Sequence, residues 1–100
     1  MKTGGSGMEE RDEIKRRITQ LRQELRRIGP VMRGSVVVIG TRNKQPYFSV
    51  NIERKTHMIY LGRRREQQAR KLSENYHRLQ QIVEEMTVLN MRMLKLDDGN

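Results

Sequence analysis

The chain has 100 residues, no cysteine, and 21 Lys and Arg against 12 Asp and Glu, for a formal net charge of +9. Such a length corresponds to one domain, and the lack of cysteine excludes disulfides and thiolate metal sites and fits a reducing cytoplasm. No apolar run reaches the roughly 18 residues of a membrane-spanning helix, and no apolar leader follows Met8. We therefore expect neither membrane insertion nor export.

The first seven residues, MKTGGSG, have the composition of an expression scar, because they are glycine-rich and a second methionine follows them. We therefore predict that residues 1–7 are disordered. Residues 8–96 are predicted to form a single α+β domain, and residues 97–100 a frayed, acidic tail.

The first predicted helix covers residues 9–28. Its apolar side chains recur at steps of four, three, four and three, as Ile14, Ile18, Leu21, Leu25 and Ile28. This spacing forms one stripe and favours packing against another helix. Gly29 and Pro30 then end the helix.

Three short segments typical of strands follow, at residues 35–39, 46–53 and 57–61. The second segment alternates strictly, with Phe48, Val50 and Ile52 on one face and Tyr47, Ser49 and Asn51 on the other. Polar turns separate the three segments. The pattern predicts a three-stranded antiparallel meander with one face covered.

A long C-terminal helix without any breaker is predicted for residues 64–96. At 1.5 Å per residue it is roughly 50 Å long, whereas a globule of this size is about 30 Å across. We therefore expect it to pair with the N-terminal helix and with a second copy of the chain. The predicted dimer seam consists of Leu72, Tyr76, Leu79, Val83, Met86, Asn90 and Met93, which Ile82 and Leu89 widen. Asn90 is a residue of the kind that specifies register in such a seam.

Positive charge is densest around the predicted sheet, because residues 34–65 hold seven basic side chains against one acidic. The seven cations are Arg42 and Lys44 in the first turn, Arg54 and Lys55 in the second, and Arg63, Arg64 and Arg65 where the long helix begins. Cations slightly destabilise the amino end of a helix, but a bound phosphate reverses this penalty. We therefore assign these residues to polyanion binding. The alternative is a solvated basic surface that aids solubility.

The first helix adds a second group of cations, among them Arg16 and Arg17, which we interpret as a secondary nucleic-acid surface. The alternative is that they pair with carboxylates such as Glu84 and Glu85 of the long helix. Because an exposed ion pair is worth only about 0–1 kcal/mol, stability hardly requires such pairs.

The sheet face that carries Tyr47, Ser49 and Asn51 is expected to lie beside Tyr60. If this face is open, it offers stacking and hydrogen bonds to bases or sugars. If it is covered, Tyr47 is an edge residue of the core.

The sequence lacks the patterns of an enzyme. His57 and His77 are isolated and have no carboxylate at ligand spacing, so we expect no metal site. No P-loop, nucleophile elbow or dinucleotide fingerprint occurs. Glu84 and Glu85 are sequence neighbours that face different directions on a helix. We therefore predict no catalysis, no cofactor and no small-molecule substrate.

The layout resembles a group of small prokaryotic proteins of unknown function that occur near transposon genes. Those proteins have a basic leading helix, a glycine-serine step into a strand, a hairpin and a long final helix. The matching stretches are MRGSV at 32–36, QPYFSV at 45–50, RKTHMIYL at 54–61, ENYHRLQQIVEEM at 74–86 and LN at 89–90. The group also carries a cysteine-rich loop between its first two strands, which this chain replaces with GTRNKQ. The resemblance thus implies a mobile-element context and DNA, but no metal and no reaction.

These observations predict a dimeric nucleic-acid-binding protein, with DNA favoured over RNA, that acts as an accessory or regulatory factor in the cytoplasm. Two alternatives stay open. A protein-interaction module would use the long helix and its methionines, Met86, Met91 and Met93, as an adaptable surface. An RNA-binding protein would use the same cations.

Overall fold

A computed structural model describes residues 6–97 of the chain. Its elements in chain order are α1 (Ser6–Arg27), β1 (Ser35–Ile39), β2 (Gln45–Ile52), β3 (Lys55–Tyr60) and α2 (Gly62–Asp97). The strands form one antiparallel sheet in the order β1-β2-β3. The α+β fold with an N-terminal helix, a three-stranded meander and a long C-terminal helix is therefore confirmed. No helix within residues 6–97 is long and apolar enough to cross a membrane.

Several element boundaries differ from the predicted ones. α1 begins at Ser6, three residues before the predicted start, so the predicted disordered segment is wrong for Ser6 and Gly7. α2 begins at Gly62, two residues early, and extends to Asp97. The rest of the predicted scar (residues 1–5) and of the predicted tail (residues 98–100) lies outside the described residues.

The turn between β2 and β3 explains why these two strands are displaced from their predicted positions. It contains only two residues, Glu53 and Arg54, so β2 ends at Ile52 and β3 begins at Lys55. Both turn residues have positive φ, 51° and 69°. Positive φ at both central positions defines a type I′ turn, whose twist matches the twist of the flanking strands. The usual sequence signal for a type I′ turn is a pair such as Asn-Gly. Because Glu53 and Arg54 are not such a pair, the sequence did not predict this turn.

The described chain separates into two compact units, and each is described by itself. The helical unit comprises Met1–Arg27 and Leu79–Asn100, and the sheet unit comprises Ile28–Arg78. The single domain expected from the chain length stays a prediction.

In the helical unit, α1 and the C-terminal part of α2 lie antiparallel. Ion pairs join them, among them Arg11–Asp97, Arg17–Glu85 and Arg92–Glu10. This alignment brings Ile14 level with Leu89 and Leu21 level with Ile82, and all four side chains are buried. Because the ion pairs are partly or fully open to solvent and each contributes about 0–1 kcal/mol, burial of these apolar side chains supplies most of the stabilisation.

In the sheet unit, one face of the sheet packs on the first turns of α2. Phe48, Leu61 and Ala69 form the buried centre of this contact. Three partly buried side chains surround it, namely Met32, Val36 and Val50. Phe48 and Val50, two residues apart in β2, both lie in this contact, so the alternation predicted for β2 is confirmed for these two residues of its covered face.

The segment before β1 is held against α2 by backbone contacts that need a glycine. Gly34 has a φ of +133°, and a Cβ there would lie 2.6 Å from the Phe48 ring. Its carbonyl oxygen accepts a 2.9 Å hydrogen bond from the buried Ser73 Oγ, and Met32 N donates to the Leu72 carbonyl oxygen at 3.1 Å. The glycine-serine step into β1 is thus required by the close approach of backbone and Phe48 ring.

Candidate nucleic-acid interface

The positive charge of the protein is concentrated in the sheet unit. Ile28–Arg78 contains eleven Lys and Arg against three Asp and Glu, a net charge of +8, whereas the remaining residues carry ten against nine. The excess therefore belongs to about half of the chain, as expected for a surface that attracts a polyanion.

The strand register gathers these cations at the two ends of the sheet. Ile39 pairs with Gln45 and Tyr47 pairs with Tyr60, so the β1–β2 turn and the start of α2 lie at the same end. The Tyr60 hydroxyl also donates to Gln45 Oε1 at 2.9 Å. This end carries four exposed cations, namely Arg42, Lys44, Arg63 and Arg64.

The opposite end of the sheet carries Arg54 and Lys55 at the β2–β3 turn. Arg33 joins them, because its Nη2 donates to the Asn51 carbonyl oxygen at 2.8 Å. Arg33 was not among the residues predicted for this surface. No local pattern reveals the position of Arg33, which depends on how the chain enters β1.

Six cations of the sheet unit have no acidic partner within residues 6–97 and are exposed. They are Arg42, Lys44, Arg54, Lys55, Arg63 and Arg64. A charged side chain without an ion pair keeps its full attraction for an external anion. These residues are therefore the strongest candidates for phosphate contacts.

Arg65 differs from its two neighbours, because its guanidinium is already engaged by the backbone. Nε donates to the Leu61 carbonyl oxygen at 3.0 Å, and Nη2 donates to the Tyr60 carbonyl oxygen at 2.7 Å. These bonds give Arg65 a structural role at the junction of β3 and α2. A phosphate contact from Arg65 stays a prediction.

The first turn of α2 has the electrostatic character of an anion site. It contains no acidic residue, so its backbone N–H groups and helix dipole are not compensated. Beside it lies an open depression of about 450 Å³, lined by Leu61, Gly62, Arg63, Arg64, Arg65 and Gln68. Together these features leave positive potential without a counter-charge at this end of the sheet.

On α1, the two predicted phosphate contacts have different surroundings. Arg17 makes a two-point ion pair with Glu85, with Nε 2.6 Å from Oε2 and Nη2 2.9 Å from Oε1. The alternative interpretation of the α1 cations, pairing with the other helix, is therefore confirmed for Arg17. Arg16 is exposed and has no ion pair within the described residues. As secondary nucleic-acid contacts, both residues stay predictions.

The face of the sheet that points away from the core is open. Register places Tyr47 opposite both Val37 and Tyr60, with Ser49 opposite Met58. The Tyr47 and Tyr60 rings meet edge to face, with centroids 5.5 Å apart and planes at 68°. Tyr60 therefore lies beside Tyr47 as expected. Met58 was not among the residues expected here, although it lies two residues before Tyr60 in β3 and therefore shares its face.

The residues of the predicted dimer seam do not share one environment. Ile82 and Leu89, which were expected only to widen the seam, are the buried residues opposite α1. Val83 and Asn90 are exposed, whereas the remaining members, Leu72, Tyr76, Leu79, Met86 and Met93, are partly buried. The seam as a contact between two chains stays a prediction.

Within residues 6–97, no group of three or more His, Asp and Glu side chains is arranged to hold a metal ion.

The chain matches no protein-family model, no curated protein and no solved structure. The resemblance to transposon-associated proteins thus stays a prediction, and the function is inferred from the geometry of the sheet unit.

Proposed function

We propose that the protein binds nucleic acid, DNA in preference to RNA, as a non-catalytic accessory or regulatory factor of the cytoplasm. One observation carries this proposal: six exposed cations at the two ends of the sheet have no acidic partner among the described residues. Their charge forms no ion pair within residues 6–97, so binding a polyanion is the simplest use for it.

The dimensions of the sheet suit a row of phosphates. β2 has eight residues, which at 3.4 Å per residue is about 27 Å. Phosphates of one DNA strand repeat at about 3.4 Å along the helix axis. The two groups of cations can therefore contact phosphates that lie several nucleotides apart.

The salt dependence of DNA binding tests the proposal. Contacts to six phosphates release counterions and give a slope of log K against log [salt] of about −5. The measurement is fluorescence anisotropy of a labelled 20-base-pair duplex, and of one of its strands alone, between 50 and 300 mM KCl. A slope near zero for both probes would remove the hypothesis.

A matched pair of charge-reversal variants separates a localised site from a general effect of net charge. Arg63→Glu with Arg64→Glu changes the net charge by −4, and so does Arg22→Glu with Arg26→Glu on α1. We expect the first variant to lose most of the affinity and the second to lose much less. Equal losses would contradict a site on the sheet unit.

The nature of the polyanion requires a competition assay, because RNA presents the same phosphates. Duplex DNA, single-stranded DNA and folded RNA of equal length are each used to displace the labelled probe. We expect DNA to displace the labelled probe at a lower concentration than folded RNA does. The opposite order would favour the RNA-binding alternative.

We also propose that two copies of the chain associate through the helical unit. In α2, Val83, Thr87, Asn90 and Leu94 follow one another at steps of four, three and four. Val83 and Leu94 are 50% and 69% exposed, although such a stripe is typical of helix pairing. Because α1 already covers Ile82 and Leu89, this exposed stripe, rather than the length of α2, supports a second chain.

Light scattering with size-exclusion chromatography tests the association. A dimer has twice the monomer mass of 11.9 kDa, and Leu94→Lys with Val83→Lys should return it to the monomer. A monomeric wild type at 100 μM would refute the dimer.

If a heterologous protein binds the long helix, that binding should survive charge reversal of Arg63, Arg64 and Arg65, whereas DNA binding should not.

A further inference from the structure

The open face of the sheet has an unusual composition for a surface. Tyr47 and Tyr60 lie on this face towards the end where α2 begins, with Val37, Met58 and Ser49 beside them; we name these five residues the tyrosine face. Tyr60 is 48% and Met58 45% exposed. Contiguous exposed apolar groups, unlike single ones, mark a surface that contacts something else.

Polar groups accompany the rings along the same face. Gln45 accepts a hydrogen bond from the Tyr60 hydroxyl, and Asn51 Oδ1 accepts one from Thr56 Oγ1 at 2.7 Å. Because β-strand side chains alternate, Gln45, Tyr47, Ser49 and Asn51 follow one another along β2 on this face. The tyrosine face thus combines stacking surfaces with donors and acceptors.

The charges around the face indicate which partner it takes. Its two ends carry the unpaired cations of the turns and of the start of α2, and the sheet unit as a whole has a net charge of +8. A purely apolar partner would leave these charges without complement. A chain of bases linked by phosphates complements both the rings and the cations.

The width of the sheet distinguishes unpaired from paired bases. The major groove of DNA, about 12 Å wide, admits a helix or a two-stranded ribbon. Three strands at about 4.8 Å spacing, together with their side chains, exceed that width. Moreover, stacking on a tyrosine requires a base whose flat surface is free, which a duplex offers only at its ends.

We propose that the tyrosine face binds unpaired bases of a single-stranded nucleic acid. Tyr60 and Tyr47 stack on bases, and the cations at both ends of the sheet hold the flanking phosphates. This inference rests on the proposed nucleic-acid binding and adds the strand state of the substrate.

The test compares a labelled 15-nucleotide single strand with a duplex of the same length for wild type and three variants. Tyr60→Ala should weaken binding of the single strand about 10- to 100-fold, the range typical of a lost base stack. Tyr60→Phe keeps the ring and should stay within about threefold of wild type. Ile59→Ala is the matched control, because Ile59 is on the same strand, is 51% exposed and points to the opposite face.

The salt dependence of binding distinguishes a failure of base stacking on the tyrosine face from a failure of phosphate binding. Tyr60→Ala should leave the slope unchanged, since it removes no phosphate contact. If wild type binds DNA with a steep slope but Tyr60→Ala and Ile59→Ala behave alike, the tyrosine face is refuted and phosphate binding stands. If wild type binds neither probe, both fail. Loss of dimer mass in Tyr60→Ala, without loss of single-strand affinity, would assign the face to a second copy instead.

Discussion

Arg65 supplies the hydrogen bond that Pro46 cannot make. Leu61 lies opposite Pro46, and its N–H donates to the Pro46 carbonyl oxygen at 3.0 Å. In a regular antiparallel pair the second bond would run from residue 46 N–H to the Leu61 carbonyl oxygen, but proline has no N–H. Arg65 Nε donates to this same oxygen at 3.0 Å. A proline in a central strand is thus tolerated because a side chain replaces its missing donor.

A double-mutant cycle checks this relationship. Arg65→Ala should cost about 1–2 kcal/mol, because two carbonyl groups lose a charged donor. In the Pro46→Ala background a backbone N–H becomes available for Leu61, so the cost of Arg65→Ala should shrink by about 0.5–1 kcal/mol. Urea unfolding followed by circular dichroism gives the four free energies. Strict additivity would show that the two residues are not coupled.

Neutralising Arg63 and Arg64 should change stability and DNA binding in opposite directions. Each cation in the first turn of α2 opposes the helix dipole by about 0.3–1 kcal/mol, so Arg63→Ala with Arg64→Ala should unfold at equal or higher temperature. The salt slope for DNA should become less steep by about 2, the effect of two lost phosphate contacts. Thermal unfolding and salt-titrated anisotropy measure the two effects. A destabilised variant with unchanged slope would assign both residues to structure instead.

The β2–β3 turn should become more stable with the residues that its backbone prefers. Glu53 and Arg54 both adopt positive φ, which costs a side-chain-bearing residue about 1–2 kcal/mol. Glu53→Asn with Arg54→Gly should therefore raise the free energy of unfolding by about 1–2 kcal/mol. Arg54→Ala is the control, since it removes the charge but keeps the unfavourable backbone. If DNA affinity falls equally in both variants, the loss is due to the Arg54 charge and not to the turn conformation.

Gly34 and Gly29 should respond very differently to alanine. At Gly34 an added Cβ meets Phe48 and Ser49 within 2.7 Å and φ is positive, so Gly34→Ala should destabilise the protein by about 3 kcal/mol or more. At Gly29 the atom nearest to an added Cβ is Asn75 Nδ2 at 3.4 Å, and the backbone is not in the left-handed region that disfavours a side chain. Gly29→Ala should therefore stay within about 0.5 kcal/mol of wild type. Comparable losses at both sites would contradict the specific contact with Phe48.

The order and type of the elements were predictable because each depends on a local pattern. The four-three spacing of α1 and the alternation of β2 each specify a periodicity that the chain satisfies without information from elsewhere. The exact positions of the strands were less predictable, because they depend on a type I′ turn formed by Glu53 and Arg54, and these residues carry no turn signal.

The candidate site was predictable in part. The cations of the two turns were found from charge density alone, and the structure leaves them exposed without acidic partners within residues 6–97. Arg65 and Arg17 also belong to runs of basic residues in the sequence. In the structure, however, Arg65 bonds to the Leu61 carbonyl oxygen and Arg17 to the Glu85 carboxylate. Charge density does not distinguish an exposed cation from a paired one, because the partner of Arg17 lies 68 positions away in the chain.

The sequence by itself determined the helix and strand order, the alternation of the sheet and the excess of positive charge, because composition and periodicity are local properties. Only the tertiary structure decided which side of α2 faces α1, where Arg33 lies and which arginines are engaged. Periodicity defines a stripe about 100° wide on a helix, and the phase within that stripe is set by the partner that packs against it. For this reason Ile82 and Leu89 are buried while Val83 and Asn90 face solvent.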